Sequence, residues 1–149
     1  MAYCNLYFHF VFRTKLNIPA IDADAASSLY KFIYGASERL GCHIHKINGM
    51  SDHVHIAVEL SSEISASEYM REVKGRSSKW ITENHLFSGF QGWGKSYFVS
   101  TFSRRDMEKV KSYIGNQQEH HKKLSFREEL ESIFALAGFS DKLHYFIED

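Results

Sequence analysis

The chain has 149 residues, of which 44% are hydrophobic, 15% are aromatic and one is a proline, and this composition excludes a disordered, collagen-like or low-complexity protein. No apolar run approaches the roughly 18 residues that a membrane span requires. We therefore expect a single domain over residues 1–149, located in the cytoplasm, with no membrane partner. The two cysteines, Cys4 and Cys42, are too few for a disulfide framework and lack metal-type spacing, so both are expected to be buried thiols.

The 18 basic and 18 acidic side chains balance formally, but they are distributed unevenly. Residues 1–124 carry 16 basic and 12 acidic side chains, a net charge of +4, whereas residues 125–149 carry 2 basic and 6 acidic ones, a net charge of −4. The basic body permits a polyanionic partner, although a charge of +4 is small for a nucleic-acid binder. The acidic helix and tail at about 125–149 belong to the same domain.

The N-terminal half predicts a strand, a helix and a hairpin. Apolar residues alternate over residues 3–12, which indicates a first strand. Between Asp22 and Leu40 they recur at helical spacing, with Asp22 at the N-cap. Residues 42–48 and 53–60 both have extended character, and the turn-forming segment between them predicts a hairpin.

The C-terminal half predicts a helix, a strand and further helices. A capping-box signature places the start of the second helix at Ser65 and its end near His85. A short strand at 97–102 follows, then a third helix from about Arg104 and an acidic fourth helix over 126–136. The order β-α-β-β-α-β predicts an α+β fold, a ferredoxin-like antiparallel sheet with additional C-terminal helices.

The segment from Asp52 to Val58 carries the most informative chemical pattern. Residues two apart in a strand point to the same face, so His53 and His55 project together and could converge on one cation. Such a pair also occurs by chance in surface strands. His43 and His45 repeat the pattern in the preceding strand, and one hairpin register would place His45 opposite His55, whereas a one-residue slip would not. The sequence leaves that register open.

A second segment places Tyr113 and Gln117 one helical turn apart on the third helix, at the edge of its apolar face. Taken alone, this pair is typical of a boundary tyrosine beside a solvated glutamine. A carboxylate-rich two-metal site would need converging acidic side chains. Asp52 and Glu59 border the histidine strand, but no further acidic pair is placed to complete such a site.

In combination, these segments resemble the single-tyrosine, HUH-type transposases of small bacterial insertion sequences, over almost the whole chain. The residues that carry the resemblance are Val11-Phe12-Arg13-Thr14-Lys15, Asp52-His53-Val54-His55, Val73-Lys74-Gly75-Arg76-Ser77-Ser78, Gly94-Lys95-Ser96-Tyr97-Phe98 and Tyr113-x-x-Asn116-Gln117.

The resemblance implies a DNA-transposing enzyme in which His53, His55 and Gln117 bind a divalent metal and Tyr113 is the nucleophile. Attack by Tyr113 on single-stranded DNA would give a 5′-phosphotyrosine and a free 3′-hydroxyl. A neutral nitrogen and oxygen donor set with open positions suits Mg²⁺ or Mn²⁺. The family also implies recognition of DNA hairpins at element ends, and a homodimer in which one subunit supplies the histidines and the other the tyrosine helix.

Three other functions stay open: a related HUH nickase, a domesticated repeat-associated transposase, and a non-catalytic DNA-binding domain. Basic side chains are candidate contacts to the DNA backbone, with a solvated helix face as the alternative for each. These candidates are Arg13, Lys15, Arg71, Lys74, Arg76, Lys79, Arg104, Arg105, Lys111 and His120. Phe87, Phe90 and Trp93 could stack on unpaired bases, although packing against the core is the simpler interpretation.

Overall fold

The structure is a computed structural model and describes residues 2–148. The strands are β1 (Tyr7–Thr14), β2 (His43–Gly49), β3 (His53–Glu59) and β4 (Trp93–Thr101). The helices are α1 (Ala26–Arg39), α2 (Ala66–Glu83), α3 (Met107–Gly115), α4 (Gln117–His120), α5 (Phe126–Leu136) and α6 (Leu143–Glu148). Short 3-10 turns occupy Lys15–Asn17, Arg104–Asp106 and Ser140–Lys142.

The strands form one antiparallel sheet in the order β2-β3-β1-β4, which confirms the predicted ferredoxin-like arrangement. Between β2 and β3, Asn48 pairs with His55, and the register shifts between Ile44 and Lys46. His45 lies at this irregularity, and its Nε2 lies 3.2 Å from Oε1 of Glu59. The sequence left two registers open. The observed one is the register in which His45 does not lie opposite His55.

Helices α1 and α2 cover one face of the sheet. Alternation along the central strands points Phe10 and Ile56 to this face, where they pack with Tyr69 of α2 in the larger hydrophobic core. The side chain of Ser65 accepts a hydrogen bond from the backbone N–H of Glu68, as predicted for the start of α2.

The opposite face of the sheet is covered by α3 to α6. A second core joins Val11 of β1 and Phe98 of β4 to Leu130 and Phe134 of α5, together with apolar side chains of α6. Helix α5 has both predicted bounds, and a complete capping box at Ser125 fixes its first turn. No helix among residues 2–148 is long and apolar enough to cross a membrane.

Two predictions in the N-terminal part were wrong. Asp22 does not cap α1; the helix begins at Ala26, because the Asp22 carboxylate instead accepts the backbone N–H of Asp24 in a local turn. The first strand begins at Tyr7 rather than at residue 3, which leaves Cys4 exposed, while Cys42 is buried as expected.

Two element boundaries in the C-terminal half also differ from the prediction. Strand β4 begins at Trp93, because Gly94 can pair close to β1: a Cβ on Gly94 would lie 2.8 Å from Nη1 of Arg13. The predicted third helix is interrupted at Asn116, which separates α3 from α4.

Candidate active site

His53 and His55 lie side by side on the face of β3 that α3 to α5 cover, and both are fully buried. Their ring centroids are 5.1 Å apart. Nδ1 of His53 lies 2.7 Å from Oδ1 of Asp52, and Nδ1 of His55 lies 2.9 Å from Nε2 of His9. Because each Nδ1 has a partner on the sheet side, both Nε2 atoms face the same space below α5.

Gln117 and Tyr113 reach this space from α4 and α3. Oε1 of the buried Gln117 lies 3.0 Å from Nε2 of His53. The interruption between the two helices is fastened to the sheet by Asn48, whose Nδ2 donates to the carbonyls of Ile114 and Gly115 at 3.0 and 3.3 Å. The structure therefore brings the predicted tyrosine, glutamine and histidines together within one chain.

Tyr113 is half-buried, and its ring packs among three imidazoles. Its ring centroid lies 4.8 Å from that of His120, 5.8 Å from that of His55 and 6.2 Å from that of His9. The hydroxyl donates a hydrogen bond to Oε2 of Glu129. A cavity of about 470 Å³ is lined by Tyr113, Glu129 and Lys109, so the tyrosine borders a space large enough for a ligand.

Glu129 of α5 occupies the centre of the site, and the sequence interpretation missed it. Only 3% of the residue is exposed. Oε1 lies 3.4 Å from Nε2 of both His53 and His55 and 3.1 Å from Nε2 of His121, while Oε2 accepts from Nε2 of Gln117 at 2.8 Å. The sequence pattern placed no further acidic side chain beside the two histidines, and these contacts show that Glu129 is such a side chain.

A sequence signal for Glu129 did exist. The apolar residues of α5 recur at helical spacing and form its buried stripe, and Glu129 stands inside that stripe rather than on the acidic outer face. A carboxylate in an apolar stripe needs a polar partner, and this requirement marks it as a candidate site residue. His9 and His121, also missed, reach the site from β1 and from the turn after α4.

Burial and the neighbouring charges shift the titration of these groups. Burial, aided by the proximity of His55, lowers the pKa of His9 to about 3, and burial lowers the pKa of His55 to about 4. Burial also opposes protonation of His53, but hydrogen bonds to Asp52 and Glu129 outweigh it and raise the pKa of His53. His9 and His55 are therefore neutral at pH 7, whereas His53 is stabilised in its charged form.

The acidic and phenolic groups shift in opposite directions. Burial favours the protonated form of Glu129, but the nearby imidazoles of His53 and His55 lower the pKa of this carboxyl well below its usual range. Burial and the hydrogen bond to Glu129 raise the pKa of Tyr113. The carboxylate is thus ionised, and the phenol keeps its proton until an acceptor takes it.

The cluster fits a divalent cation. Nε2 of His55 is a buried nitrogen without a hydrogen-bond partner among residues 2–148. Nε2 of His53 faces two oxygens, one of Gln117 and one of Glu129. A nitrogen lone pair repels such oxygens unless a proton or a metal ion lies between the nitrogen and the oxygens. Ligand atoms of His53, His55 and Glu129 all lie within 4.8 Å of one another, and imidazole with oxygen donors suits several divalent metals.

The predicted DNA contacts do not form one surface. Arg13 is fully buried: its Nε and Nη2 donate to the carbonyl of Phe146 at 2.9 and 2.6 Å, and its guanidinium lies 5.5 Å from that residue's ring centroid. This arginine fastens α6 to the sheet. Lys15, the next basic residue along the chain, is exposed.

The basic residues of α2 lie across the sheet from Tyr113, since α2 packs on the other face. Three of them have partners within the chain: Arg76 with Glu72, Lys79 with Glu83, and Lys74, whose Nζ donates to the carbonyl of Lys95 at 3.0 Å. Arg71 is exposed on the same helix.

The remaining candidates are on the tyrosine side of the sheet. Arg104 and Arg105 are exposed in the turn before α3, and Lys111 lies 3.7 Å from Glu108. Nε2 of His120 lies 3.2 Å from the carbonyl of Tyr113, which adds to the ring contact described above. Of these four residues, His120 lines the cavity beside Tyr113.

The aromatic residues around β4 are part of the core rather than an exposed stacking surface. Phe87 and Trp93 are buried, Phe90 packs against them, and the indole N–H of Trp93 donates to Oγ of Ser77 at 2.9 Å. The simpler of the two interpretations of these side chains therefore applies.

Sequence comparison identifies relatives over most of the chain. A family model described as "Transposase IS200 like" matches residues 2–117. The transposase for insertion sequence element IS200 from Salmonella typhimurium is 24% identical over 123 residues, which cover 79% of this chain and 80% of that protein. The family match ends at Gln117, so α5, α6 and Glu129 lie beyond it.

Two solved structures share the fold. A putative transposase from Deinococcus radiodurans superposes with a TM-score of 0.61 at 21% identity, over 78% of this chain and 95% of that chain. A REP-associated tyrosine transposase bound to a REP hairpin superposes with a TM-score of 0.62 at 14% identity, over 81% of this chain and 72% of that chain.

Proposed function

Because the chain belongs to the IS200-like transposase family, we propose that it cleaves and rejoins single-stranded DNA through a covalent bond between Tyr113 and a 5′ phosphate. The observation that carries this proposal is the position of the Tyr113 hydroxyl, which shares the carboxylate of Glu129 with the paired imidazoles of His53 and His55. A nucleophile beside candidate metal ligands is the arrangement that phosphoryl transfer requires.

In the cleavage step, the Tyr113 oxygen attacks the scissile phosphorus. The new bond joins that oxygen to phosphorus, the bond from phosphorus to the 3′ oxygen breaks, and the 3′ oxygen leaves as a hydroxyl after taking up a proton. The protonated phenol is a poor nucleophile, so its proton must pass to an acceptor during the attack. A 3′-hydroxyl can later attack the phosphotyrosine and restore a phosphodiester without ATP or net hydrolysis.

His53, His55 and Gln117 are the proposed ligands of a divalent cation, with Mg²⁺ or Mn²⁺ as the expected ion. A cation bound there supplies Lewis-acid stabilisation of charge on the phosphate oxygens. The side chains of Asp52 and His9 hold the two imidazoles in place, since each bonds an Nδ1 and leaves Nε2 directed into the cluster. The neutral state of His55 at pH 7 supports its role as a ligand.

Single-stranded DNA that carries a hairpin is the proposed substrate. The superposed REP-associated transposase is described as bound to a REP hairpin. In this chain, the exposed Arg104 and Arg105 lie on the tyrosine side of the sheet and are suited to contact the cleaved strand. The basic side chains of α2 can reach DNA only at a distance from the cut, which suits contact with a hairpin stem.

We propose a homodimer in which each subunit contains a complete active site. Tyr113, Gln117 and both histidines come from a single chain here, so a monomer holds the full set of proposed site residues. We therefore expect cleavage by each subunit with its own tyrosine. Mixing Tyr113→Phe with His53→Ala subunits tests this: no cleavage is expected, whereas restored cleavage would indicate sites shared between subunits.

The proposal is tested with a hairpin-bearing single strand labelled at its 3′ end. Wild-type protein with Mg²⁺ or Mn²⁺ should form a labelled adduct that survives denaturing electrophoresis, and Tyr113→Phe should form none. Equal cleavage by the two proteins would refute Tyr113 as the nucleophile. Rejoining to a second strand distinguishes a transposase from a related nickase, and a protein that binds the hairpin without any cleavage would be a non-catalytic binding domain.

A further inference from the structure

We propose that Glu129 is a bridging residue, with Oε1 as an additional ligand of the cation and Oε2 as the acceptor that positions the Tyr113 hydroxyl. This inference rests on the proposed function and deepens it. Glu129 lies on α5, beyond the residues that the family model matches, so the bridge is supplied by the C-terminal helices of this chain.

The two oxygens of Glu129 face different partners. Oε1 lies at equal distances of 3.4 Å from Nε2 of His53 and of His55, which are separations expected of neighbouring ligands bound at about 2.0–2.2 Å to a common ion. Oε2 accepts hydrogen bonds from the Tyr113 hydroxyl and from Nε2 of Gln117. One carboxylate therefore links the candidate ligands directly to the nucleophile.

The charge balance of the site supports a ligand role. An isolated carboxylate buried to 3% exposure is costly unless a positive charge accompanies it. Among residues 2–148, the contacts of this side chain are to histidine, tyrosine and glutamine, with no lysine or arginine. A protonated His53 can supply this charge, and a divalent cation between Oε1 and the two imidazoles would replace that proton.

The position of Glu129 is fixed by packing on both sides. The capping box at Ser125 sets the first turn of α5, and Leu130 and Phe134 anchor the helix in the second core. The ring of Phe126 stacks on His53 with centroids 3.7 Å apart. Because neighbouring residues hold the helix against the sheet, the carboxylate is pre-positioned rather than free to swing into the site.

Manganese affinity provides the test, measured by calorimetry without DNA. Glu129→Gln keeps the shape of the side chain and removes its charge, so Mn²⁺ should bind at least about tenfold more weakly. Glu131→Gln is the matched control, since Glu131 is exposed on the same helix and the change removes the same charge. The Mn²⁺ affinity of this control variant should stay within about twofold of that of wild type. Unchanged Mn²⁺ affinity in Glu129→Gln would overturn the proposal. If DNA cleavage by that variant also rose, the carboxylate would be a group that blocks the site rather than a ligand.

A second measurement needs no substitution of Glu129. Metal binding should perturb the near-ultraviolet absorption of Tyr113 through the shared carboxylate, so wild type should show a Mn²⁺ difference spectrum that Tyr113→Phe lacks. The absence of that signal while Mn²⁺ is bound would refute the bridge. His53→Ala tests the proposed metal site separately. If this variant keeps full Mn²⁺ affinity, the proposed function fails. If His53→Ala loses Mn²⁺ affinity while Glu129→Gln keeps it, only the bridging role of Glu129 is rejected.

Discussion

Oδ1 of Asp52 lies 2.7 Å from Nδ1 of His53, directly before β3. The contact assigns the proton to Nδ1 and leaves Nε2 of the same ring directed at Gln117 and Glu129. Carboxylate partners of this kind orient metal-binding histidines and increase their basicity. The residue before the two histidines is thus part of the site, although it does not reach the centre of the cluster.

Replacement of Asp52 by asparagine tests this supporting role. The Asp52→Asn amide bonds Nδ1 less strongly, so Mn²⁺ affinity should fall by about 10- to 100-fold. Calorimetric titration measures the change, with the exposed Asp24→Asn as a charge-matched control. Equal affinities for the two variants would show that Asp52 does not support His53.

The two histidine pairs of the hairpin are expected to differ in function. His53→Ala and His55→Ala each remove a buried imidazole from the cluster and should reduce DNA cleavage by roughly 100-fold or more. His43→Ala should retain most activity, because His43 is exposed and lies 2.7 Å from Glu38 on the outer surface. Cleavage rates on one hairpin substrate measure all three, and a defect in His43→Ala as large as that of His55→Ala would mean that the ligands are misassigned.

The sequence predicted the fold well because its signals are local. Period-two alternation in the central strands and the capping signature at Ser65 depend on adjacent residues, and both correspond to observed elements. The Asp22 cap failed because an aspartate satisfies its carboxylate in a turn as readily as at a helix start. Strand β4 was predicted too short because its start depends on the approach of Gly94 to Arg13, a contact between distant residues.

The candidate site was only half predictable for the same reason. His53 and His55 share a face by strand geometry, but Glu129 reaches them from a helix about 75 residues away, and no spacing rule joins the two. Arg13 was predicted to contact DNA from its charge alone. Arg13 is buried under α6 because it bonds the backbone carbonyl of Phe146, and no sequence pattern near Arg13 predicts this contact.

Arg13 is expected to contribute to stability. Arg13→Met removes the charged hydrogen bonds to Phe146 and leaves that buried carbonyl unpaired, which should lower the free energy of unfolding by about 2–4 kcal/mol. Lys15→Met, at an exposed neighbour, should change it by less than about 0.5 kcal/mol. Urea denaturation measures both. A stable Arg13→Met protein that has lost DNA affinity would instead favour a direct contact with DNA.

Acidification should destabilise the metal-free protein between pH 6.5 and about 4. The pKa values of His9 and His55 are lowered to about 3 and about 4, so the unfolded chain takes up protons in this range before the folded protein does. The raised pKa of His53 adds stability that is already complete below pH 6.5 and does not change in this window. At pH 5 the loss should be roughly 1–2 kcal/mol for each of the two histidines.

Denaturation in a chelating buffer at a series of pH values measures this loss. His55→Asn should show a shallower dependence on pH than wild type, because one of the two responsible groups is gone. A free energy of unfolding that stays constant or rises from pH 6.5 to 5 would contradict the assignment of His9 and His55 as buried neutral imidazoles.

Mass spectrometry of the covalent adduct tests the assignment of the nucleophile most directly. Trypsin should release the segment 112–122, which contains Tyr113 and no other tyrosine. After reaction with a hairpin-bearing strand and nuclease digestion, this peptide should carry the mass of a 5′-linked nucleotide, with fragment ions that locate the modification on Tyr113. An adduct located on any other residue, or cleaved DNA without a modified peptide, would contradict the proposed chemistry.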